Sequence, residues 1–174
     1  IHKMRSINIT GKHNIDKMNE LENESYQAER KCMLTIDNKF FDHKSQVEMI
    51  NKLFMDCNFY LKSLFIKEIN HKIQGYKGQD IKKEIHDNTS LIQYNEVVEK
   101  LVEKKLKCNY CKKPVFILYK NVREPSQWTL DRIDNNINHS NINTCISCLK
   151  CNLQRRMMHV DKFTFTKQLK INKV

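Results

Sequence analysis

The chain has 174 residues and a mass of 20.9 kDa, and its 40% hydrophobic content holds no apolar run near the roughly 18 residues of a membrane span. With three glycines and two prolines it is not of low complexity, so a soluble chain of one ordinary domain or two small ones is expected. Lys and Arg total 31 against 20 Asp and Glu, a net charge of +11, and 12 basic against 4 acidic residues fall from Cys108 onward. Such a surplus narrows the partner to nucleic acid or another acidic surface and excludes nothing finer.

The opening, IHKMRSIN, lacks the charged-then-apolar order of a secretory signal, and a start at Ile rather than Met reads as a fragment. Residues 1–40 are polar, with sparse apolar positions, and are expected to form an extended or partly helical lead-in outside the core. A helical region is expected over 41–107. In its first part, Val47, Ile50, Leu53, Phe54, Leu61, Leu64, Phe65 and Ile69 recur at three-to-four spacing, with Ser45 as N-cap and a break near Asn58. GYKG at 75–78 reads as a turn, and Ser90 is expected to open a second helix striped by Leu91, Tyr94, Val97, Val98, Leu101, Val102 and Leu106. These stripes are packing faces, and region 45–107 is the place where a protein partner would dock.

The texture changes at Cys108. Residues 115–119 (VFILY) and 128–133 (WTLDRI) read as strands, and a helix is expected from near Cys145 into Arg155 and Arg156. The unit is expected to span 108–160, leaving 161–174 as a tail.

Seven cysteines are an odd number for a disulfide framework, and their CxxC spacings favour metal in a reducing compartment such as cytosol, nucleus or a viral factory. Cys108-x2-Cys111 and Cys148-x2-Cys151 offer two pairs of thiolates of the kind that a closed, structural Zn²⁺ takes. Cys145 makes an alternative second pair with Cys148. Cys32 and Cys57 lack partner spacing and are expected to be packing residues.

Between and just after the cysteine pairs lie Asp131, Arg132, Asp134, His139, Asn143 and Asn152. An Asp at a strand end and an amide on a facing helix can hold one Mg²⁺ or Mn²⁺ with positions open for water and phosphate. The order CxxC, LDRID, His139, Asn143 and CxxCN resembles the zinc-bound HNH endonucleases, in the DRID branch carried by phages and large DNA viruses, over about residues 108–156. The resemblance implies an α+β chain: an N-terminal helical region followed by a small zinc-stapled ββα-metal unit that cleaves DNA.

It also implies roles for particular residues. Asp131 and Asn152 would hold the catalytic metal, and Asn143 would brace the loop that carries the general base. The family's usual base position holds Arg132, whose guanidinium cannot accept a proton near neutral pH, so Arg132 would clamp phosphate instead. His139 is the replacement base, with Asp134 a weaker candidate. Asn138, where the family has Gly, tolerates a left-handed turn. Arg123, Lys150, Arg155 and Arg156, with Lys112 and Lys113, would form a phosphate-gripping rim beside Tyr110 and Trp128, and His159 lacks a partner at ligand spacing. A module that binds nucleic acid without cleaving it, and a purely structural zinc-stapled subunit, are the competing readings.

Overall fold

A computed structural model of the chain describes residues 10–12, 15 and 28–169. Among these are five α-helices and one antiparallel hairpin, a mixed architecture consistent with the α+β class. In chain order they are α1 (His43–Phe54), α2 (Lys62–Lys82), α3 (Tyr94–Glu103), β1 (Trp128–Arg132), β2 (Thr144–Cys148), α4 (Leu149–Arg155) and α5 (Val160–Gln168).

Helix α1 starts earlier than its pattern suggested, because Asp42 rather than Ser45 is the cap: its carboxylate accepts from the Ser45 N–H at 3.1 Å. The expected break near Asn58 separates α1 from α2. No turn occurs at 75–78, where α2 continues through Gly75 and Gly78. Ile69, Ile73, Tyr76 and Asp80 are buried along one face of α2, and that packing outweighs the ~1 kcal/mol that each helical glycine costs. Helix α3 begins after Gln93, whose N–H donates to Glu96 Oε2 at 2.7 Å, and not at Ser90.

Val115, Ile117, Leu118 and Tyr119 are buried as in a strand, yet the segment makes only an isolated bridge, from Phe116 to Gln127. The side chain of Gln46, on α1, takes the place of a neighbouring strand. Its Oε1 accepts from the N–H groups of Ile117 (2.8 Å) and Leu118 (3.0 Å), while its Nε2 donates to the carbonyls of Leu118 (2.9 Å) and Phe40 (3.1 Å). The second strand is instead residues 144–148, expected to be helical. Thr144 and Ile146 lie opposite Arg132 and Leu130 across the hairpin, and the helix starts only after Cys148.

Both expected tails contribute structure. Met33 is fully buried and Glu29 bridges to Asn121, so part of the lead-in joins the core; residues 1–9, 13–14 and 16–27 lie outside the described residues. Helix α5 buries Phe163 edge-on against Tyr110, ring centroids 5.0 Å apart.

One apolar cluster joins Ile50 and Leu53 of α1, Phe65, Ile69 and Ile73 of α2, and Val97 and Leu101 of α3 to Trp128, Leu130 and Ile146 of the hairpin. Tyr76 Oη accepts from the Leu130 N–H at 2.9 Å, fastening α2 to β1. Among the described residues no helix is long and apolar enough to cross a membrane.

Two substitutions test this account by urea unfolding. Gln46→Leu leaves three interior backbone groups and the half-buried Phe40 carbonyl without a partner, and is expected to cost roughly 3 kcal/mol or more, at ~1–3 kcal/mol for each interior group; a loss below about 1 kcal/mol would contradict the role given to the amide. Gly78→Ala, where an added Cβ meets nothing within 4 Å, is expected to gain about 0.5–1 kcal/mol.

Candidate active site and metal centre

Cys108 and Cys111 sit on a tight knuckle in which the Lys112 N–H donates to the Cys108 carbonyl at 3.0 Å and Lys112 takes a left-handed backbone (φ 59). Cys148 ends β2 and Cys151 lies one turn into α4. The four Sγ atoms all lie within 4.8 Å of one another, Cys111 and Cys148 at 3.9 Å. Thiolates at ~2.3 Å from a tetrahedral ion are spaced ~3.8 Å apart, so the set can hold a metal ion and suits Zn²⁺. Cys145 is outside the set. It lies opposite Asp131 across the hairpin, with Sγ 3.5 Å from Tyr110 Oη, and burial pushes its thiol up to about 11. Cys32 and Cys57 are exposed, which corrects their expected place in the packing: Cys32 faces outward from the short 3-10 turn Lys31–Met33, which buries Met33 instead, and Cys57 lies between α1 and α2.

Every residue of β1 is buried, so each face of the strand meets something. Successive side chains point to opposite faces. Asp131 points to the side of α4, where its carboxylate accepts from Tyr110 Oη (2.5 Å) and from Arg155 Nε (2.5 Å) and Nη2 (2.9 Å). Arg132 points to the side of α2, its Nη1 3.5 Å from Asp80 Oδ1. A cleft of about 610 Å³ opens along this seam, lined by Asp131, Arg132, His139 and Asn152 together with α2 residues.

Within this seam Arg155 is corrected from rim cation to buried partner. Its exposure is 2%, and besides Asp131 it donates to the carbonyls of Arg132 (2.5 Å) and Met158 (2.8 Å). The Asp131 pairing holds its pKa above the ordinary Arg value. Tyr110 and Trp128, expected beside the rim, are fully buried, and burial keeps Tyr110 protonated as the donor to Asp131. Three donors leave one of the carboxylate's roughly four lone-pair sites, on Oδ1, uncommitted. The Asn152 Nδ2 donates to Thr129 Oγ1 (3.1 Å) and the Leu130 carbonyl (3.2 Å), which leaves its oxygen for the cleft. Asp131 and Asn152 thus keep one hard oxygen each, enough for Mg²⁺ or Mn²⁺ bound mainly by water and phosphate.

The loop between the strands, residues 133–143, is tied at its base by Asn143. Its Oδ1 accepts from the Asp134 N–H (2.8 Å), and its Nδ2 donates to the carbonyls of Asp134 (2.9 Å), Asn138 (3.0 Å) and Ile137 (3.2 Å). Asn138 has no left-handed backbone; its Nδ2 instead donates to Ser90 Oγ at 2.8 Å. Asp134 caps the loop through the Asn136 N–H at 2.9 Å. His139, 3% exposed, donates its backbone N–H to Asp80 Oδ2 at 2.8 Å and places Nδ1 2.7 Å from Asp80 Oδ1, with its ring centroid 4.7 Å from that of Tyr76. Burial lowers the imidazole pKa below 6.5; Arg132 and Lys83 act in the same direction and Asp80 against it.

Of the expected phosphate rim, Arg156 and Arg132 line the cleft, whereas Arg123 and Lys150 are exposed outside it. Arg156 ends α4 with a left-handed backbone (φ 50). The other cleft cations, Lys72 and Lys83, come from α2 and the residue that caps its end, in a region read from sequence as packing only. Lys72 donates to Gln127 Oε1 (2.9 Å) and to the Trp128 carbonyl, and burial, aided by Arg30 and opposed by Glu68, pushes its ammonium down to about 7. Asp80, Lys72 and Lys83 carried no motif; a buried acid on an apolar helix stripe was the one signal available for Asp80.

No family model, curated protein or solved structure matches this chain. The metal centre has a direct test: the purified protein should carry one zinc per chain by elemental mass spectrometry, and Cys111→Ser should lose it. Because hairpin and helices share one core, chelation should lower the unfolding midpoint of the whole chain in one transition. A metal-free protein of unchanged stability would contradict the centre.

Proposed function

We propose that this chain is a metal-dependent, HNH-type endonuclease that hydrolyses phosphodiester bonds of DNA in the cleft between α2 and the hairpin. The observation that carries this reading is the convergence of Asp131, Asn152 and His139 on one basic cleft. The Cys108, Cys111, Cys148 and Cys151 centre would hold structural Zn²⁺ and fix the end of β2 against the 108–111 knuckle. Asp131 and Asn152 would hold Mg²⁺ or Mn²⁺, which when bound supplies Lewis-acid polarisation of the phosphate.

The chain's own groups do the rest. His139 Nε2 takes a proton from the attacking water as its oxygen bonds to phosphorus; the P–O bond opposite breaks, and the departing oxygen is protonated from solvent. Arg132 and Arg156 bring positive charge to the cleft where the phosphorane's charge develops. Asn143 keeps His139 in place by holding the loop closed. Lys83 and Arg156, both exposed, grip the backbone on either side of the cut without reading sequence.

A second reading, a DNA-binding scaffold without turnover, is favoured by one observation: the Arg155 guanidinium already neutralises Asp131. The two readings part on divalent-dependent cleavage. Asp131→Ala is a poor arbiter, because it leaves a buried guanidinium unpaired at a cost of about 3–5 kcal/mol. His139→Asn is cleaner, since its Nδ2 can still donate to Asp80 while no base remains.

On plasmid DNA with Mn²⁺ or Mg²⁺, His139→Asn should lower kcat about 10²–10⁴-fold with DNA affinity nearly unchanged. Wild-type activity should rise with pH through a value below 6.5 and then level, because the neutral imidazole is the active form. Cleavage that survives His139→Asn would refute the base, and a wild type that binds but never cuts would select the scaffold. In either case Lys83→Ala and Arg156→Ala should each reduce the slope of log affinity against log salt by about 1.

A further inference from the structure

Asp80 lies on the last turn of α2, outside the segment that carries the cysteine pairs and the Asp131 and Asn152 positions, and its side chain has no exposure. Its surroundings are His139, Arg132 and the helix itself, with the Tyr76 ring tilted 31° against the imidazole and Lys83 at the helix end.

Stability alone does not explain a carboxylate there. Its charge opposes the negative end of the α2 dipole, and burying an ion costs several kcal/mol before its donors offset it. What the carboxylate does achieve is directional. Both of its oxygens face His139: Oδ2 accepts the backbone N–H at 2.8 Å and Oδ1 lies 2.7 Å from Nδ1. An ionised carboxylate can only accept, so Nδ1 carries the ring proton and Nε2 keeps its lone pair. The ring is bonded to Asp80 through Nδ1, and His139 lines the cleft.

We propose that Asp80 is the positioning residue for His139, fixing the Nδ1–H tautomer so that Nε2 faces the cleft as a proton acceptor and stabilising the imidazolium that proton transfer creates. This assignment rests on the reading of His139 as general base. It makes α2 part of the active site, so that the 108–160 segment alone lacks the group that orients its base.

The test is nitrogen-15 NMR of the imidazole in the full-length, zinc-loaded protein at pH 8, beside kcat and KM on plasmid DNA, for wild type and Asp80→Asn. In Asp80→Asn the amide oxygen is needed by the His139 N–H, which turns the amide NH₂ toward Nδ1 and forces the Nε2–H tautomer. The expected result is an Nδ1–H signature in the wild type, its inversion in Asp80→Asn, and a kcat loss of about 10²-fold or more with KM within about threefold. An Nε2–H wild type would overturn the proposal without any folding requirement on the variant. So would an Asp80→Asn that folds and retains its kcat. A wild type with the Nδ1–H signature but no cleavage would overturn the nuclease reading and with it the catalytic half of this one, leaving the orientation of His139 by Asp80 established.

Discussion

A buried carboxylate is tolerated only where donors surround it, and two of them, Asp131 and Asp80, set the positions of nearly everything near the cleft. Asp131 and Arg132 are neighbours on a strand whose faces are both covered, so they must point apart. Asp131 draws Tyr110 and Arg155 to one side, locking the cysteine knuckle and α4 against β1. On the other side Asp80 takes Arg132 and His139, locking the end of α2 and the 133–143 loop against the same strand. The cleft is the seam between these two networks.

The cysteine centre complements this arrangement from the opposite end of the hairpin. A two-stranded sheet is marginal by itself, and here its ends are secured by different means. Four thiols gather at the 128/148 end, where they can hold a metal ion, while Asn143 holds the loop end through four hydrogen bonds to backbone groups. Between these fastenings Asp131, Asn152 and His139 keep fixed positions. The proposed nuclease would need such preorganisation, because groups aimed beforehand incur no reorganisation cost as charge develops.

Side chains with local signatures could be read directly. The CxxC spacings brought out the same four cysteines that the fold gathers, and the apolar stripes of α1 and α3 announced real helices. Where the reading failed, long-range contacts had overruled local preference. GYKG looks like a turn, but the apolar face running from Ile69 to Tyr76 is buried along its length and keeps α2 unbroken. VFILY looks like a strand, but a glutamine side chain 71 and 72 residues upstream takes the N–H groups of Ile117 and Leu118. The helix expected from near Cys145 starts only at Leu149, because Thr144 and Ile146 pair across the hairpin with Arg132 and Leu130. Arg155 looked like a surface cation because charge alone carries no sign of burial, and Asp80 showed only as an acid on an apolar helix stripe because its partner lies 59 residues away.

The account stands on the claim that Asp131, Asn152 and His139 frame one phosphodiester-binding site. The most direct measurement is a crystal structure of the zinc-loaded protein with Mn²⁺ and a phosphorothioate oligonucleotide, read by anomalous scattering at the manganese edge. The account predicts a manganese peak against the Asp131 and Asn152 oxygens, with a phosphate beside it on the His139 side of the cleft. Manganese absent there, with Arg155 still closed on Asp131 and the DNA lying elsewhere, would contradict it.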